Sequence, residues 1–253
     1  NMSMHHYGLI GKSLEHSFSK QFFTEYFSLN HLDFTYNNLE FIGVNELKEF
    51  LKEDVYQYKG LNVTIPYKIE VIPFLHEVSD EVKDIGAVNK IHIKNNRTVG
   101  HNTDAFGFHQ SIKTFLTNKH EKALVLGTGG ASRAIEYVLK SIGIEAVFIS
   151  REPVPEDNVF TYQEINNYIL DACKLIVNCT PVGSYPLIGD EITFPYQYLS
   201  PEHLVIDLIY NPSQTLFLKR AEQQGAQTLN GLSMLKEQAM KSWKIWNLSL
   251  IHI

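Results

Sequence analysis

The sequence predicts an α/β protein with two domains, the second built on a doubly wound parallel sheet. The C-terminal half alternates short apolar runs with segments of helical spacing, and a glycine-rich turn directly follows the first of those runs. Strands that alternate with helices in this way form a parallel sheet with helices on its faces. Right-handed crossovers then make the sheet doubly wound.

The C-terminal half contains four segments that read as buried strands. They are residues 123–126, 146–149, 175–177 and 204–208. Residues 132–141 place apolar side chains at helical spacing, and Gly143 marks the end of that helix. We expect this domain to span residues 105–231.

The N-terminal half has a separate α/β pattern, which predicts a first domain over residues 1–104. Its predicted strands are 7–10, 34–39, 61–65 and 87–93, and its predicted helices are 19–27 and 44–51. A polar stretch at 101–107 separates the halves, and a helical pattern follows at 108–116. A last helix at about 232–246 could pack on either half.

Composition excludes several classes of protein. The 253 residues are 44% hydrophobic and 20% charged, which is typical of a globular chain and not of a disordered one. The net charge of −6 gives no general attraction to nucleic acid. No apolar run approaches the roughly 18–20 residues that span a bilayer. We therefore expect neither nucleic-acid nor membrane partners. Composition does not decide between a monomer and a homodimer.

Cysteine and histidine usage argues against a metal site. Cys173 and Cys179 are spaced C-x5-C, which is neither a redox nor a zinc pattern, and they flank an apolar run. The eleven histidines form no HExxH or paired-ligand spacing. The first residues lack the pattern of a signal peptide. Buried free thiols and a cytoplasmic location are expected.

A glycine-rich turn follows the strand at 123–126 and opens the next helix. Its residues are Gly127, Thr128, Gly129, Gly130 and Ala131. Glycines let the backbone approach a pyrophosphate closely, and the helix N-terminus offers N–H groups to the anion. A plain strand-to-helix turn can also use glycine, but the position in a βαβ unit favours a dinucleotide.

The residues after the second strand of this half bear on which dinucleotide binds. An acid there would hold the ribose 2′-hydroxyl of NAD. This chain has Ser150 and Arg151, and an arginine can pair with the 2′-phosphate of NADP. Glu152 weakens the charge argument, and a solvated surface arginine is the alternative.

Two polar clusters of the N-terminal half allow both functional and structural interpretations. Ser17 and Ser19 can converge on one carboxylate, although spacing alone favours capping of the helix that follows. Thr64 shares a strand face with Asn62, and Lys68 lies just past a proline. A partly desolvated lysine can transfer protons, whereas an exposed one is only solvated.

A third polar cluster lies near the break between the domains. Asp104 could hydrogen-bond a substrate hydroxyl and orient an ammonium group, or it could cap the helix that begins near Phe106.

Taken in order, these segments resemble the shikimate dehydrogenase family over the whole chain. The matching segments are residues 8–19, 60–68, 86–89, 102–104, 127–131, 178–181, 207–210 and 231–239. Residues 60–68 read Gly-Leu-Asn-Val-Thr-Ile-Pro-Tyr-Lys, close to the family's Asn-Val-Thr-x-Pro-x-Lys motif. The resemblance implies reversible NADPH-dependent reduction of 3-dehydroshikimate to shikimate, in the biosynthesis of chorismate and aromatic amino acids.

The resemblance also implies roles for individual residues and for the last helix. Lys68 and Asp104 would form the catalytic pair. Substrate would bind to Ser17, Ser19, Thr64, Asn89, Tyr210 and Gln238. NADP(H) would bind to Gly127, Thr128, Gly129, Gly130, Ala131, Ser150, Arg151, Thr180, Leu208, Gly231 and Met234. The last helix would return to the first domain, so that residues from about 232 to 253 join it.

Three residues depart from the family pattern, and one of them keeps an alternative cofactor open. Lys20 stands where the family usually has proline, His101 where it has aspartate, and Glu152 where it has threonine. Glu152 keeps an NAD-preferring quinate/shikimate dehydrogenase in view. A generic dinucleotide-binding reductase and a non-enzymatic NADP-binding sensor are further alternatives, although a sensor would not need Lys68 and Asp104.

Overall fold

The computed structural model describes residues 4–247, which form two compact units with one sheet each. Unit 1 comprises residues 4–103 and 238–247, and unit 2 comprises residues 104–237. The chain thus leaves unit 1 after Thr103 and re-enters it within its last helix. The α/β fold class with a doubly wound sheet is confirmed.

Unit 1 is built on a mixed six-stranded sheet with the strand order β2-β1-β3-β5-β6-β4. The strands are β1 (His5–Gly11), β2 (Phe34–Glu40), β3 (Gly60–Val63), β4 (Glu77–Val78), β5 (Lys90–Lys94) and β6 (Arg97–His101). Its helices are α1 (Phe18–Leu29), α2 (Val44–Lys52) and α3 (Asp80–Ile85). Strand β1 is parallel to β2 and β3, and β5 is antiparallel to β3 and β6.

This topology gathers several chain segments at one edge of the sheet, called here the unit 1 edge. The edge consists of the carboxyl ends of β1, β3 and β6 and of Asn89, which precedes β5. The backbone N–H of Val63 donates to the carbonyl of Asn89 at 2.7 Å, and that of Asn89 donates to the carbonyl of His101 at 3.1 Å. Loops leaving these strands therefore start close together.

Alternation along β1 divides the core of unit 1 between the two faces of the sheet. Ile10 belongs to the apolar cluster under α2, whereas Tyr7 and Leu9 pack with α1 and the last helix. The last helix meets the sheet through Trp246, whose indole N–H donates to the carbonyl of Ile91 at 3.1 Å. A side chain at Gly60 would place its Cβ 2.2 Å from that indole nitrogen, so this contact requires glycine.

Unit 2 is built on a six-stranded parallel sheet with the order β12-β11-β10-β7-β8-β9. Its strands are β7 (Lys122–Leu126), β8 (Glu145–Ile149), β9 (Val159–Phe160), β10 (Leu175–Asn178), β11 (Leu204–Asp207) and β12 (Gln227–Leu229). Its helices are α4 (Asp104–Ile112), α5 (Gly130–Ser141), α6 (Asn167–Ala172) and α7 (Leu216–Gln223), and α8 (Leu232–Trp246) begins here.

The strand order of unit 2 reverses beside β7. The chain runs from β7 outward to β8 and β9, then crosses to β10 on the other side of β7. Ligands of such sheets bind beyond the carboxyl ends of the strands at this switch point. The carboxyl ends of β7, β8, β10, β11 and β12 are called here the unit 2 edge.

The structure also corrects several element bounds. The helix predicted at 108–116 is α4, which begins four residues earlier at Asp104 and ends at Ile112. Apolar spacing continues to Phe115 and Leu116, but the backbone N–H of Phe115 bonds in a turn to Ile112 at 2.9 Å. The strand predicted at 87–93 begins only at Lys90. Strands β4, β9 and β12 have two or three residues, too few to show alternation.

The part of the chain that the structure describes contains neither a membrane-spanning helix nor a metal-binding cluster. No helix among residues 4–247 is long and apolar enough to cross a membrane. The same residues contain no group of three potential metal ligands from His, Cys, Asp and Glu. Neither Cys173 nor Cys179 forms a disulfide; Cys173 is buried as expected, whereas Cys179 is only half-buried, and burial raises the pKa of Cys173 to about 11.

Lys90 is a fully buried lysine inside the sheet of unit 1. Its Nζ lies 5.1 Å from the centroid of a Trp246 ring and has no hydrogen-bond partner among residues 4–247. Burial lowers the pKa of Lys90 well below its usual value near 10.5. Burial also lowers the pKa values of His92 and His101 to about 4. Protonating the Lys90 amine in the folded protein is therefore costly.

Replacing Lys90 by methionine is expected to stabilise the protein. Lys90→Met should raise the free energy of unfolding at pH 7 by about 1–3 kcal/mol, because an unpaired polar group is removed. The folded-state pKa of Lys90 lies below its unfolded-state value, so the unfolded chain binds more protons. Stability should therefore rise with pH in the wild type between the folded-state and the unfolded-state pKa of Lys90, but not in the variant.

Urea unfolding at several pH values measures both effects. Lys94→Met, which removes the same charge from the exposed end of β5, is the matched control and should change stability by less than about 0.5 kcal/mol. A less stable Lys90→Met would show that the lysine side chain contributes stability, and a variant that keeps the wild-type slope would show that the slope has another source.

Candidate active site

The two serines after β1 lie in the first turn of α1 with their polar atoms buried. Ser17 occupies the N-cap position, but its hydroxyl makes no capping hydrogen bond, so the capping interpretation is wrong for this residue. Ser17 Oγ is buried and has no partner among residues 4–247. Ser19 is hydrogen-bonded to the hydroxyl of Tyr36, which also accepts from Asn62 Nδ2 at 2.8 Å. A buried hydroxyl without a protein partner can bond to a ligand or to an ordered water.

The turn after β3 holds Thr64 and Lys68 by their backbones. The N–H of Thr64 donates to the carbonyl of Ile10 at 2.9 Å, which ties the turn to β1. Tyr67, which lies between Thr64 and Lys68 in the sequence, is buried, and its hydroxyl donates to the carbonyl of Phe41. The carbonyl of Lys68 accepts from the N–H of Val88 at 2.8 Å. The half-buried Lys68 side chain thus starts from a fixed backbone.

Asn89 and Gln238 meet in a buried network at the unit 1 edge. Asn89 Oδ1 accepts from the backbone N–H of Thr103 at 2.7 Å, and Asn89 Nδ2 donates to Thr103 Oγ1 at 2.8 Å. Asn89 Nδ2 also donates to Gln238 Oε1 at 3.3 Å, and Ser242 Oγ lies 3.1 Å from Thr103 Oγ1. The sequence places Asn89 and Gln238 149 positions apart, and the fold brings them together.

Asp104 is the first residue of α4 and follows Thr103 directly. It is only 6% exposed, which is unusual for a carboxylate. Because α4 begins at Asp104 itself, the alternative role as cap of a helix starting near Phe106 does not hold.

The glycine-rich turn opens α5 in a form suited to an anion. Gly127 has φ +102°, and a Cβ there would lie 3.0 Å from Thr180 Cγ2. Gly129 is the N-cap of α5, and no side chain caps this helix or places an acid in its first turn. A Cβ at Gly129 would meet nothing within 4 Å, so the helix end is open. These features fit the pyrophosphate of a dinucleotide. The turn residues are Gly127, Thr128, Gly129, Gly130 and Ala131.

The loop after β8 contains Arg151 among acidic neighbours. Ser150 is held by its backbone N–H, which donates to the carbonyl of Phe160 at 2.8 Å, and its Oγ accepts from the N–H of Glu152 at 3.2 Å. The Arg151 side chain is exposed, as are the acids in the same loop, Glu152, Glu156 and Asp157. Arg151 can reach an anion here, but its positive charge is partly offset.

A buried hydrogen-bond network joins the ends of β10 and β11. Asn178 Nδ2 donates to Asp207 Oδ1 at 3.0 Å, and Thr215 Oγ1 donates to Asp207 Oδ2 at 2.7 Å. Asn178 Oδ1 accepts from the backbone N–H and Oγ1 of Thr180 at 3.0 and 2.7 Å. Burial raises the pKa of Asp207 to about 6, although bonds from Thr215, Ile209 and Asn178 oppose this. Sequence reasoning missed this network; polar residues ending two apolar runs were the available signal.

The other predicted cofactor residues also lie at the unit 2 edge. Leu208 follows β11, and a Cβ at Gly231 would lie 1.8 Å from the Leu208 carbonyl oxygen. Met234 is buried in the first turn of α8. Tyr210, predicted to bind substrate, is half-buried in unit 2, and burial raises its pKa.

The structure thus groups most predicted residues at two strand edges. Ser17, Ser19, Thr64, Lys68, Asn89 and Gln238 belong to unit 1, whereas Asp104 and Tyr210 belong to unit 2 with the cofactor residues. The roles of these residues stay predictions.

Comparison with known proteins identifies the family. Residues 9–91 match the family described as the shikimate dehydrogenase substrate binding domain. A shikimate dehydrogenase (NADP(+)) of Methanococcus aeolicus is 36% identical over 252 residues, with 94% of this chain and 90% of that protein covered. The chain belongs to the shikimate dehydrogenase family. Glu152 and His101 are therefore departures within the family and not signs of another one.

Solved structures agree with this family assignment. A shikimate dehydrogenase of Aquifex aeolicus superposes with a TM-score of 0.85 at 35% identity, covering 98% of this chain and 94% of that one. The Thermus thermophilus enzyme, solved with NADP(H) and shikimate, superposes with a TM-score of 0.80 at 28% identity, covering 96% of this chain and 93% of that one.

Replacing Ser17 separates ligand binding from helix capping. Ser17→Ala should change the free energy of unfolding without ligand by less than about 0.5 kcal/mol, because the hydroxyl caps nothing. Ser79→Ala is the matched control, since Ser79 Oγ accepts from the N–H of Val82 at 3.3 Å and caps α3. That variant should lose about 0.5–2 kcal/mol in chemical denaturation. Equal losses in the two variants would restore the capping role of Ser17.

Proposed function

We propose that this chain catalyses the reversible NADPH-dependent reduction of 3-dehydroshikimate to shikimate, a step toward chorismate and the aromatic amino acids. The observation that carries the proposal is the alignment of curated NADP-dependent shikimate dehydrogenases with over nine-tenths of the chain. The placement of the motif residues at the unit 1 and unit 2 edges supports it.

The unit 1 edge supplies groups of the right kind for a hydroxylated ring acid. The Ser17 and Ser19 hydroxyls would hold the carboxylate, which gives Ser17 Oγ the partner it lacks within the described residues. Thr64, Asn89 and Gln238 would bind ring hydroxyls, since amides and hydroxyls both donate and accept. Their buried hydrogen bonds fix the Asn89 and Gln238 side chains in advance.

The unit 2 edge supplies groups that suit NADP(H). The open N-terminus of α5 would bind the pyrophosphate, and Arg151 would pair with the 2′-phosphate. When bound, the nicotinamide supplies the hydride for reduction and takes it in the reverse direction.

Proton transfer falls to Lys68 and Asp104. In reduction, the Lys68 ammonium would donate a proton to the carbonyl oxygen of the substrate as negative charge develops there. In oxidation, the neutral amine would take the proton back. Asp104 would orient Lys68 and bond a ring hydroxyl. General acid–base assistance of this kind contributes roughly 10²- to 10⁴-fold.

The expected cytoplasmic location, and a monomer or homodimer as the assembled form, stay predictions.

Replacing Lys68 is expected to lower turnover with little effect on substrate binding. Lys68→Ala should reduce kcat for shikimate oxidation by about 10²- to 10⁴-fold, because the proton acceptor is lost. The shikimate dissociation constant, measured by calorimetry, should change by only a few-fold. Lys48→Ala, an exposed lysine of α2, is the control and should behave as wild type. Weaker binding with unchanged turnover would reject the catalytic role.

The proposed reaction is tested by four pairings of purified protein: shikimate or quinate, each with NADP⁺ or NAD⁺. Absorbance at the reduced-nicotinamide band should rise with shikimate and NADP⁺ and rise little with the other pairs. Arg151→Ala should raise the KM for NADP⁺ by about 10- to 100-fold, because a charge-assisted bond is lost, and should leave the NAD⁺ value nearly unchanged.

Each result of the four pairings has a defined meaning. A wild-type preference for NAD⁺ or quinate would favour a quinate/shikimate dehydrogenase. The acidic residues beside Arg151 are the feature that favours this alternative. NADP⁺ binding without turnover in any pair would favour a sensor. Equal losses for both cofactors in Arg151→Ala, with Arg97→Ala as control, would remove the 2′-phosphate assignment.

A further inference from the structure

Asn178 and Asp207 form a pair with no solvent exposure at the unit 2 edge. They end the neighbouring parallel strands β10 and β11 and are partners in the strand register. A buried carboxylate is costly unless donors surround it. Asp207 receives bonds from Asn178 Nδ2, Thr215 Oγ1 and the backbone N–H of Ile209 at 3.0, 2.7 and 3.1 Å.

The Asn178 side of the pair leads to the glycine-rich turn. Asn178 Oδ1 accepts both the backbone N–H and the hydroxyl of Thr180, which fixes the rotamer of that threonine. The Thr180 methyl group then lies against Gly127, where any Cβ would be 3.0 Å away. The Asn178 amide therefore sets the position of one wall of the turn.

The Asp207 side of the pair leads to the start of α8. Asp207 Oδ1 orients the Ile209 peptide, and the carbonyl of Ile209 accepts from the N–H of Gly231 at 3.0 Å. Gly231 lies against the carbonyl of Leu208 with no room for a side chain. Leu208 and Gly231 are thus held by one carboxylate through two hydrogen bonds.

The chemistry of the pair explains why it consists of these two residue types. Asn178 must accept from Thr180 and donate to Asp207, and a side-chain amide can do both. Asp207 must accept from three donors, which suits a carboxylate better than a neutral amide.

We propose that Asn178 and Asp207 are positioning residues for the dinucleotide: together they hold Thr180 against the glycine-rich turn and Leu208 against Gly231, and so set cofactor affinity without contacting the cofactor. This inference rests on the proposed function and goes beyond it, since it concerns residues that support the binding groups. It predicts that losing the pair weakens cofactor binding while leaving the substrate groups of unit 1 intact.

The test is direct titration of NADPH, followed by its fluorescence, with no substrate present. Asn178→Ala should raise the NADPH dissociation constant by about 10- to 100-fold, because Thr180 loses its partner and Asp207 loses a donor. At saturating cofactor, kcat and the KM for shikimate should stay within about twofold of wild type. Asn166→Ala is the matched control, because Asn166 Oδ1 caps α6 by accepting from the N–H of Ile169 at 3.0 Å. It should lower stability but leave NADPH binding unchanged.

A charge-preserving exchange keeps the proposal testable if Asn178→Ala does not fold. Asn178→Asp alone would place two carboxylates together and should weaken NADPH binding more at pH 8 than at pH 6, where the two can share a proton. The double variant Asn178→Asp/Asp207→Asn restores one amide facing one carboxylate. It should bind NADPH more tightly than Asn178→Asp but less tightly than wild type, because the N–H of Ile209 then faces the amide nitrogen at position 207.

Several results would overturn the proposal. One is a folded Asn178→Ala with lowered thermal stability and unchanged NADPH affinity, which would make the pair merely structural. Another is a folded double variant that binds NADPH no better than Asn178→Asp. NADH is titrated in parallel, so that the variants can still be compared with wild type if the wild type prefers NAD. Wild-type protein that binds NADPH but does not oxidise shikimate would reject the proposed function alone, and one that binds neither cofactor would reject both.

Discussion

The Asn89 amide is the hydrogen-bonding group on which the arrangement of unit 1 depends most. It is buried, and its oxygen and nitrogen both bond to Thr103, the last residue before the chain leaves this unit. Its nitrogen also reaches Gln238, where the chain has returned. Without this side chain, the buried donor of Thr103 would lose its partner, at a cost of about 1–3 kcal/mol. One amide therefore fixes both the exit and the return of the chain.

The last helix extends this constraint along the sheet. Gln238, Ser242 and Trp246 are spaced four residues apart and so lie on one helix face. The first two bond to Thr103, and the third packs on Gly60 and bonds to the Ile91 carbonyl. Polar contacts therefore hold the end of the helix near the site, and an aromatic contact holds its far end. Lys90 lies beside that aromatic contact, with its buried amine 5.1 Å from the centroid of a Trp246 ring.

How much the sequence could predict follows from how strongly each feature is encoded locally. The buried strands of unit 2 are continuous apolar runs, and a glycine-rich turn directly after such a run favours a dinucleotide site over a plain turn, so local sequence carries both signals. Strands β4, β9 and β12 are too short to show a period, and they are defined by pairing with a neighbouring strand. Ser17 shows a subtler limit, because its backbone takes the N-cap conformation while its hydroxyl does not cap. The Asn178–Asp207 pair needs the strand register, which joins residues 29 positions apart.

In both units a buried asparagine side chain bonds to backbone groups of a loop that leaves a strand end. A loop that leaves a buried strand end brings unpaired N–H groups with it, and a side-chain amide can bond to them as a peptide would. Asn89 does this for Thr103, and Asn178 does it for Thr180. The second partner differs: Asn89 bonds to the neutral Gln238, whereas Asn178 bonds to Asp207. The neutral partner adds no negative charge to the edge where a substrate carboxylate would bind. The carboxylate of Asp207 is tolerated in the other unit because its charge is directed inward, onto donors that also hold the loops in place.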